Sequence, residues 1–318
     1  MKQRYYSRHA QVLLRELNRV ISREELKKLH HKNPWRHGAL LARQYALLIL
    51  CYAGIVNINS WWFWIPASAL LGLTIFNFTV LLHEVLHHCV FNEIRPKTER
   101  LLSLLYAIPS GISPTQFTRW HLDHHAELGS MDDPKRNHLS PKKNSRLLKI
   151  LYATPFLFVI YFRAAAKETA TYEKQVQRTI RLELFLALCV HVVAAIVLYQ
   201  FFGLSVLTKA YLLPVFIFFP IAFAINRMGQ HYHIDSTDPA KWSTLIQSNA
   251  CWNWIFIYSN LHLEHHYFPG VPCYNLPKLQ RLLHPYYKQK GMSFLTYPQL
   301  FKGWILHNGA PHTKWNTI

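Results

Sequence analysis

The sequence predicts an all-α integral membrane protein. It has four transmembrane helices paired in two hairpins and a helical cap on the cytoplasmic side. Three observations carry this. Long stretches hold no charged side chain, the longest is broken at its middle by a polar turn, and nearly all basic residues lie away from the bends.

The first neutral run, Gln44 to Leu82, covers 39 residues. A helix needs about 20 apolar residues to cross a bilayer, so this run holds two spans. Asn57-Ile58-Asn59-Ser60 at its centre reads as a turn, which places spans at about 40–57 and 61–82. Leu184 to Thr208 and Ala210 to Asn226 are the next neutral runs. They give spans at about 184–202 and 208–226, with Phe202-Gly203-Leu204-Ser205 at the bend. Between the hairpins, Leu101–Phe117 is interrupted by Pro109, Gly111 and Pro114, and Ile150–Phe162 is short and contains Pro155. Both are expected to lie at the membrane interface. Trp61, Trp62, Phe63 and Trp64 beside the first bend read as an interfacial aromatic belt.

Charge sets the orientation. The chain has a formal net charge of +19, and of its 35 Lys and Arg residues only Lys209 falls near a bend. Positive residues gather on the cytoplasmic side, so both termini and the long segments are expected there. The organisation is then a basic N-terminal segment (1–39), a membrane domain (40–285) and a C-terminal tail (286–318). The five cysteines form no CxxC pair, and the N-terminus lacks the apolar core of a signal peptide. No nucleic-acid fold signature accompanies the charge. The composition excludes a soluble globular enzyme and a disulfide scaffold.

Histidine is the abnormal residue. Of 20 histidines, ten fall in four places: His83, His87 and His88; His121, His124 and His125; His231; and His262, His265 and His266. Residues three and four apart share a helix face, so each HxxHH aims its rings toward one spot. By chance HxxHH is expected on the order of 0.1 times in such a chain, yet it occurs twice. Neutral imidazole is a common ligand for iron, zinc and copper. His9, His30, His31, His37, His138, His284, His307 and His312 lack this spacing and read as ordinary surface residues, and His191, inside the third span, reads as a lone solvated or core histidine. His231-Tyr232-His233 suits a strand face, which leaves His233 open.

Nine or ten histidines exceed what one zinc takes, because zinc sites close at about four ligands. Two irons with four or five ligands each would use the whole set. Residues 83–87 also spell HExxH, the pattern of zinc proteases with Glu84 as general base. A non-catalytic metal-binding protein is a further alternative.

The segments HEVLHH, HLDHH and HLEHH, set against two apolar hairpins, resemble the three histidine boxes of the membrane fatty acid desaturase and hydroxylase superfamily. The resemblance covers about residues 40–285. Asn260 to Pro272, NLHLEHHYFPGVP, is similar to that family's third box and its proline-rich exit. His231 matches an extra histidine after the fourth span, where the family often has Glu-His and this chain has Gln230-His231. The resemblance implies a di-iron site in the cap. Its ligands would be His83, His87, His121, His124, His125, His231, His262, His265 and His266, with His88 as a tenth. Asn226 and Asn260 would act behind them or through water. It also implies O2 as co-substrate and insertion of a double bond into a fatty-acyl lipid chain. A hydroxylase or ketolase acting on a lipid or carotenoid is the alternative within the class. GxGxxG and HPGG are absent, so the implied electron donor is a separate ferredoxin or cytochrome b5.

Overall fold

The computed structural model describes residues 5–135, 144–232, 234, 235 and 237–309. His138, His233 and His312 lie outside the described residues. In chain order the α-helices are α1 (Tyr5–His9), α2 (Gln11–Val20), α3 (Arg23–Leu29), α4 (Pro34–Asn57), α5 (Trp61–Leu86), α6 (Pro96–Ala107), α7 (Pro114–Glu127), α8 (Arg146–Leu151), α9 (Phe156–Thr169), α10 (Lys174–Leu207), α11 (Phe219–Met228), α12 (Ala250–Ile255), α13 (His262–Tyr267), α14 (Leu276–Gln289) and α15 (Tyr297–Phe301). Among the described residues the only β-pairing is one isolated bridge, Ile246 with Leu295. The predicted all-α class holds.

The helices form two compact units that interleave along the chain. One comprises residues 33–118 and 151–224, and the other residues 1–32, 119–150 and 225–318.

The first unit holds most of the apolar chain. Three helical segments of the protein are long and apolar enough to cross a membrane: Arg23–Asn57, Trp61–Leu86 and Lys174–Met228. Asn33 caps α4 by accepting from the Trp35 and Arg36 amides, and Pro34 follows at the first helical position. Ile58-Asn59-Ser60 separates α4 from α5, and the two helices pack together through Cys51, Ile55, Ala67 and Leu71.

Where two further spans are expected, the segment Lys174–Met228 is helical on both sides of a kink. Gly203 interrupts it at φ 76°, ψ 176°, inside the expected bend. Glycine enters that region without steric cost, so helical bonding resumes at once and no coil separates the parts. The part after the kink includes two π-helical turns, Thr208–Leu212 and Pro214–Phe218. Pro214 and Pro220 remove amide donors there, which favours the wider turn. The outer face of α10 exposes Phe185, Leu188, Val193, Ile196 and Phe201, an apolar surface too long for water.

A buried acid orders the start of α7. Glu183, on α10, accepts from the Thr115 amide at 3.1 Å and hydroxyl at 2.7 Å, and from Ser113 Oγ and Arg100. Ser113 Oγ in turn accepts from the Gln116 amide at 3.0 Å. A carboxylate at a helix N-terminus satisfies orphan donors and complements the helix dipole.

In the second unit the N-terminal arm clasps α14. Glu16 accepts from Tyr286 Oη at 3.1 Å and pairs with Lys290 at 2.8 Å. Glu25 pairs with Lys278, and Asn275 donates to the Leu29 carbonyl at 2.8 Å. Through α14 the arm supports α13, the helix of the third histidine box.

Gly72 marks a tight helix contact of the first unit. A Cβ there would stand 2.5 Å from Phe218 Cβ and 2.7 Å from the Pro214 carbonyl oxygen. Gly72→Val should destabilise by about 1–3 kcal/mol through overpacking, read as a lower unfolding midpoint in detergent. Gly38→Ala, at a helical position with open space around it, should instead raise the midpoint slightly through helix propensity.

Candidate metal centre

The second box forms on α7 and the third on α13, so both HxxHH patterns are helical as their spacing predicts. On α13, His262, His265 and His266 share one face. At about 100° per residue, Glu264 points to the opposite side. His231 follows α11 in a turn. His83 lies in the last turn of α5, and His87 caps that helix.

In the second unit four histidines converge. The candidate ligand atoms of His124, His231, His262 and His266 all lie within 4.8 Å of one another, and all four residues are buried. The Nε2–Nε2 separations are 3.2 Å for His124–His231, 3.1 Å for His231–His262, 3.4 Å for His231–His266 and 3.0 Å for His262–His266. Two of the other ring nitrogens are turned away to acceptors. His124 Nδ1 donates to both Asp133 oxygens at 2.8 Å. His231 Nδ1 donates to the Trp242 carbonyl at 3.3 Å. A proton committed to Nδ1 leaves Nε2 as the lone-pair donor, the tautomer a metal needs.

A further set in the same unit gathers His121, His125 and His265. The His125 and His265 Nε2 atoms are 3.1 Å apart, and the His121 and His125 ring centres are 4.5 Å apart. In the other unit the His83 and His87 rings lie 4.8 Å apart. His88 takes a left-handed backbone, φ 55°, and its Nδ1 meets the Glu99 carboxylate at 2.9 Å with half of its side chain exposed. Asn226 bridges Ser259 Oγ and Gln230, each at 2.8 Å, which steadies the turn before His231. Asn260 donates to Ser248 Oγ and Asn253 Oδ1 just before α13.

Burial sets the electrostatics. It lowers the His231 imidazole well below its ordinary value, with His124 and Arg227 adding to the effect. The neutral, metal-binding form is thereby favoured. Burial pushes the Asp133 carboxyl up to about 6 against the opposing pull of His231 and Lys135. The Lys135 amine, in contact with His121 Nδ1, is driven down by burial and then by Arg227. Burial also raises Glu264, whose Oε1 accepts from Gln280 and Tyr287 at 2.8 Å each. Those bonds fasten the back of α13 to α14.

A buried ring of imidazole lone pairs pointing at one another is repulsive by itself and complementary to a cation. The all-nitrogen donor set suits iron or zinc. Asp133, Lys135, the Trp242 carbonyl and Glu264 escaped the sequence reading. Only Glu264 had a signal, as the acid on the blind side of the HxxHH face.

Asp133→Asn removes the charge behind His124 and should weaken metal binding about 10–100-fold. A competition titration against a chelator of known affinity reads this directly.

The fatty acid desaturase family model matches residues 59–298. The chain is 25% identical over 272 residues to the sphingolipid delta(4)-desaturase/C4-monooxygenase DES2 of Bos taurus, covering 82% of this chain and 78% of that protein. It is 26% identical over 306 residues to the sphingolipid delta(4)-desaturase DES1 of Drosophila melanogaster, covering 92% and 83%. The Homo sapiens DES2 is 24% identical over 269 residues, covering 82% and 78%. With the family model matching most of its length and the histidine boxes gathered into metal-binding sets, this chain belongs to the fatty acid desaturase family and is a desaturase-like oxidoreductase.

Proposed function

We propose that the protein is an integral-membrane, O2-dependent di-iron enzyme that introduces a double bond into the acyl chain of a lipid. The observation that carries this is the buried convergence of His124, His231, His262 and His266 in a chain of the desaturase family. In this reading those four hold one iron. His121, His125 and His265 hold the other, and His83 and His87 are further metal ligands. Their i, i+4 spacing at the end of α5 supports the addition. Hydroxylation of the same carbon is the second reading, because the mammalian relatives are named as both desaturase and C4-monooxygenase.

Bound iron would supply the redox chemistry for attack on an unactivated C–H bond. The residues of this chain do the rest. Asp133 and the Trp242 carbonyl hold protons on Nδ1 of His124 and His231, so the rings cannot rotate or change tautomer. Glu264 locks α13 from behind. The low exposure of the four histidines keeps bulk water from the reacting carbon.

The proposed topology has four spans, the long helical run being divided at Gly203, with the histidine sets and both termini on the cytoplasmic side. The distribution of Lys and Arg supports this orientation. Electrons would come from a separate ferredoxin or cytochrome b5, steered by the basic face.

Metal analysis of the purified protein should find about two irons per chain; a single zinc without iron would overturn the reading. His124→Ala and His265→Ala should each abolish turnover while the protein still inserts in the membrane. Turnover is read by expression in a host of simple lipid profile and mass spectrometry of the acyl chains. New unsaturation supports the first reading and a new hydroxyl the second.

A further inference from the structure

His191 is the ionisable side chain within the neutral run Leu184–Thr208. An intramembrane ionisable group is costly and is retained where it has partners and a use. Its ring is held at both nitrogens. Nε2 lies 2.8 Å from the Ile108 carbonyl oxygen, and Nδ1 lies 2.6 Å from Tyr211 Oη. A carbonyl can only accept, so Nε2 carries a proton. In the neutral ring Nδ1 is then an acceptor and takes the Tyr211 O–H.

This pair lines an open cavity of about 460 Å³ in the first unit. The remaining walls are apolar, with Leu188, Phe158, Phe216 and Phe219 prominent. Its third polar side chain is Ser110, whose hydroxyl donates to the Ile75 carbonyl at 3.0 Å. Every side-chain donor of the lining is therefore committed to a protein acceptor. What remains for a ligand is acceptor capacity, on Tyr211 Oη and Ser110 Oγ. A second cavity, about 60 Å³, shares Ser110, Phe158 and Phe219 and reaches Thr79, one helical turn before His83.

We propose that the cavity binds a lipid whose apolar chain carries a hydroxyl group, with Tyr211 Oη as the acceptor of the hydroxyl hydrogen. A carboxylate finds no donor there. A plain hydrocarbon leaves the polar patch without a partner. A hydroxyl matches it, and the aromatic walls take the chain. The proposal deepens the reading of the protein as a membrane lipid enzyme and rests on it only for the bilayer setting of the cavity.

The test is competitive binding to the purified full-length protein in lipid nanodiscs. A diazirine-bearing fatty alcohol is the photoprobe, and labelled peptides are mapped by mass spectrometry. The competitors are 1-hexadecanol, its methyl ether and hexadecane. Labelling is expected on α9 and α10, with the alcohol competing about 3–10-fold better than the ether, the worth of one neutral hydrogen bond. Tyr211→Phe should bring alcohol and ether to within about twofold and leave hexadecane unchanged. Equal competition by alcohol and ether in the unmodified protein would overturn the proposal, whatever the variant does. So would a preference that survives in Tyr211→Phe and in Tyr211→Phe with Ser110→Ala. Binding is read without turnover. A preserved alcohol preference with no product would thus count against the enzyme reading alone, and equal competition with normal product formation against the hydroxyl site alone.

Discussion

Everything at the metal centre depends on one constraint: imidazole lone pairs must face one another in a buried space. Four Nε2 atoms within 3.0–3.4 Å along the chain of contacts is an arrangement that no uncharged core would choose. It is held because each ring is part of a larger hydrogen-bonded frame. Asp133 and the Trp242 carbonyl orient two rings. Glu264 anchors the helix that carries two more, and its partners sit on α14, which the N-terminal arm secures through Glu16 and Glu25. The most polar part of the protein is thus also a tightly built one.

The two interleaved units divide the labour. One concentrates apolar helix, with a surface of exposed leucine, valine and phenylalanine that suits a hydrocarbon solvent. Some of its hydroxyls donate to backbone carbonyls, Ser68 to that of Lys209 and Thr74 to that of Leu70. That is what a low-dielectric environment requires, since an unmade hydrogen bond there has no water to replace it. The other unit carries Asp133, Glu264 and the histidines of the second and third boxes. Helix α7 runs from one to the other, and Glu183 orders its first turn. An acid at the head of one apolar helix thereby governs the origin of the helix bearing the second box.

The legibility of this protein in its sequence followed the range of the interactions. Spans at 40–57 and 61–82 could be read because charge exclusion and a polar turn are local, and the helices Pro34–Asn57 and Trp61–Leu86 follow them closely. The HxxHH helices could be read because i, i+3 and i+4 spacing is a local geometry. Asp133 could not be found this way: it is nine residues from His124 in a stretch without periodicity. His191 was read as ordinary for want of spacing, and its two partners come from positions 108 and 211. His88 belongs to the same box as His83 and His87 by sequence, yet its positive φ turns it to Glu99.

By itself the sequence determined the all-helical class, the apolar segments and the histidine-bearing faces, because each depends on residues within a turn or two of one another. Only the tertiary structure decided which imidazoles meet, which acids stand behind them, and that a histidine and a tyrosine twenty residues apart close the wall of an apolar cavity. Those outcomes depend on how far a helix runs before it breaks, as at Gly203, and on the direction in which the chain returns. Local propensity does not encode such distances.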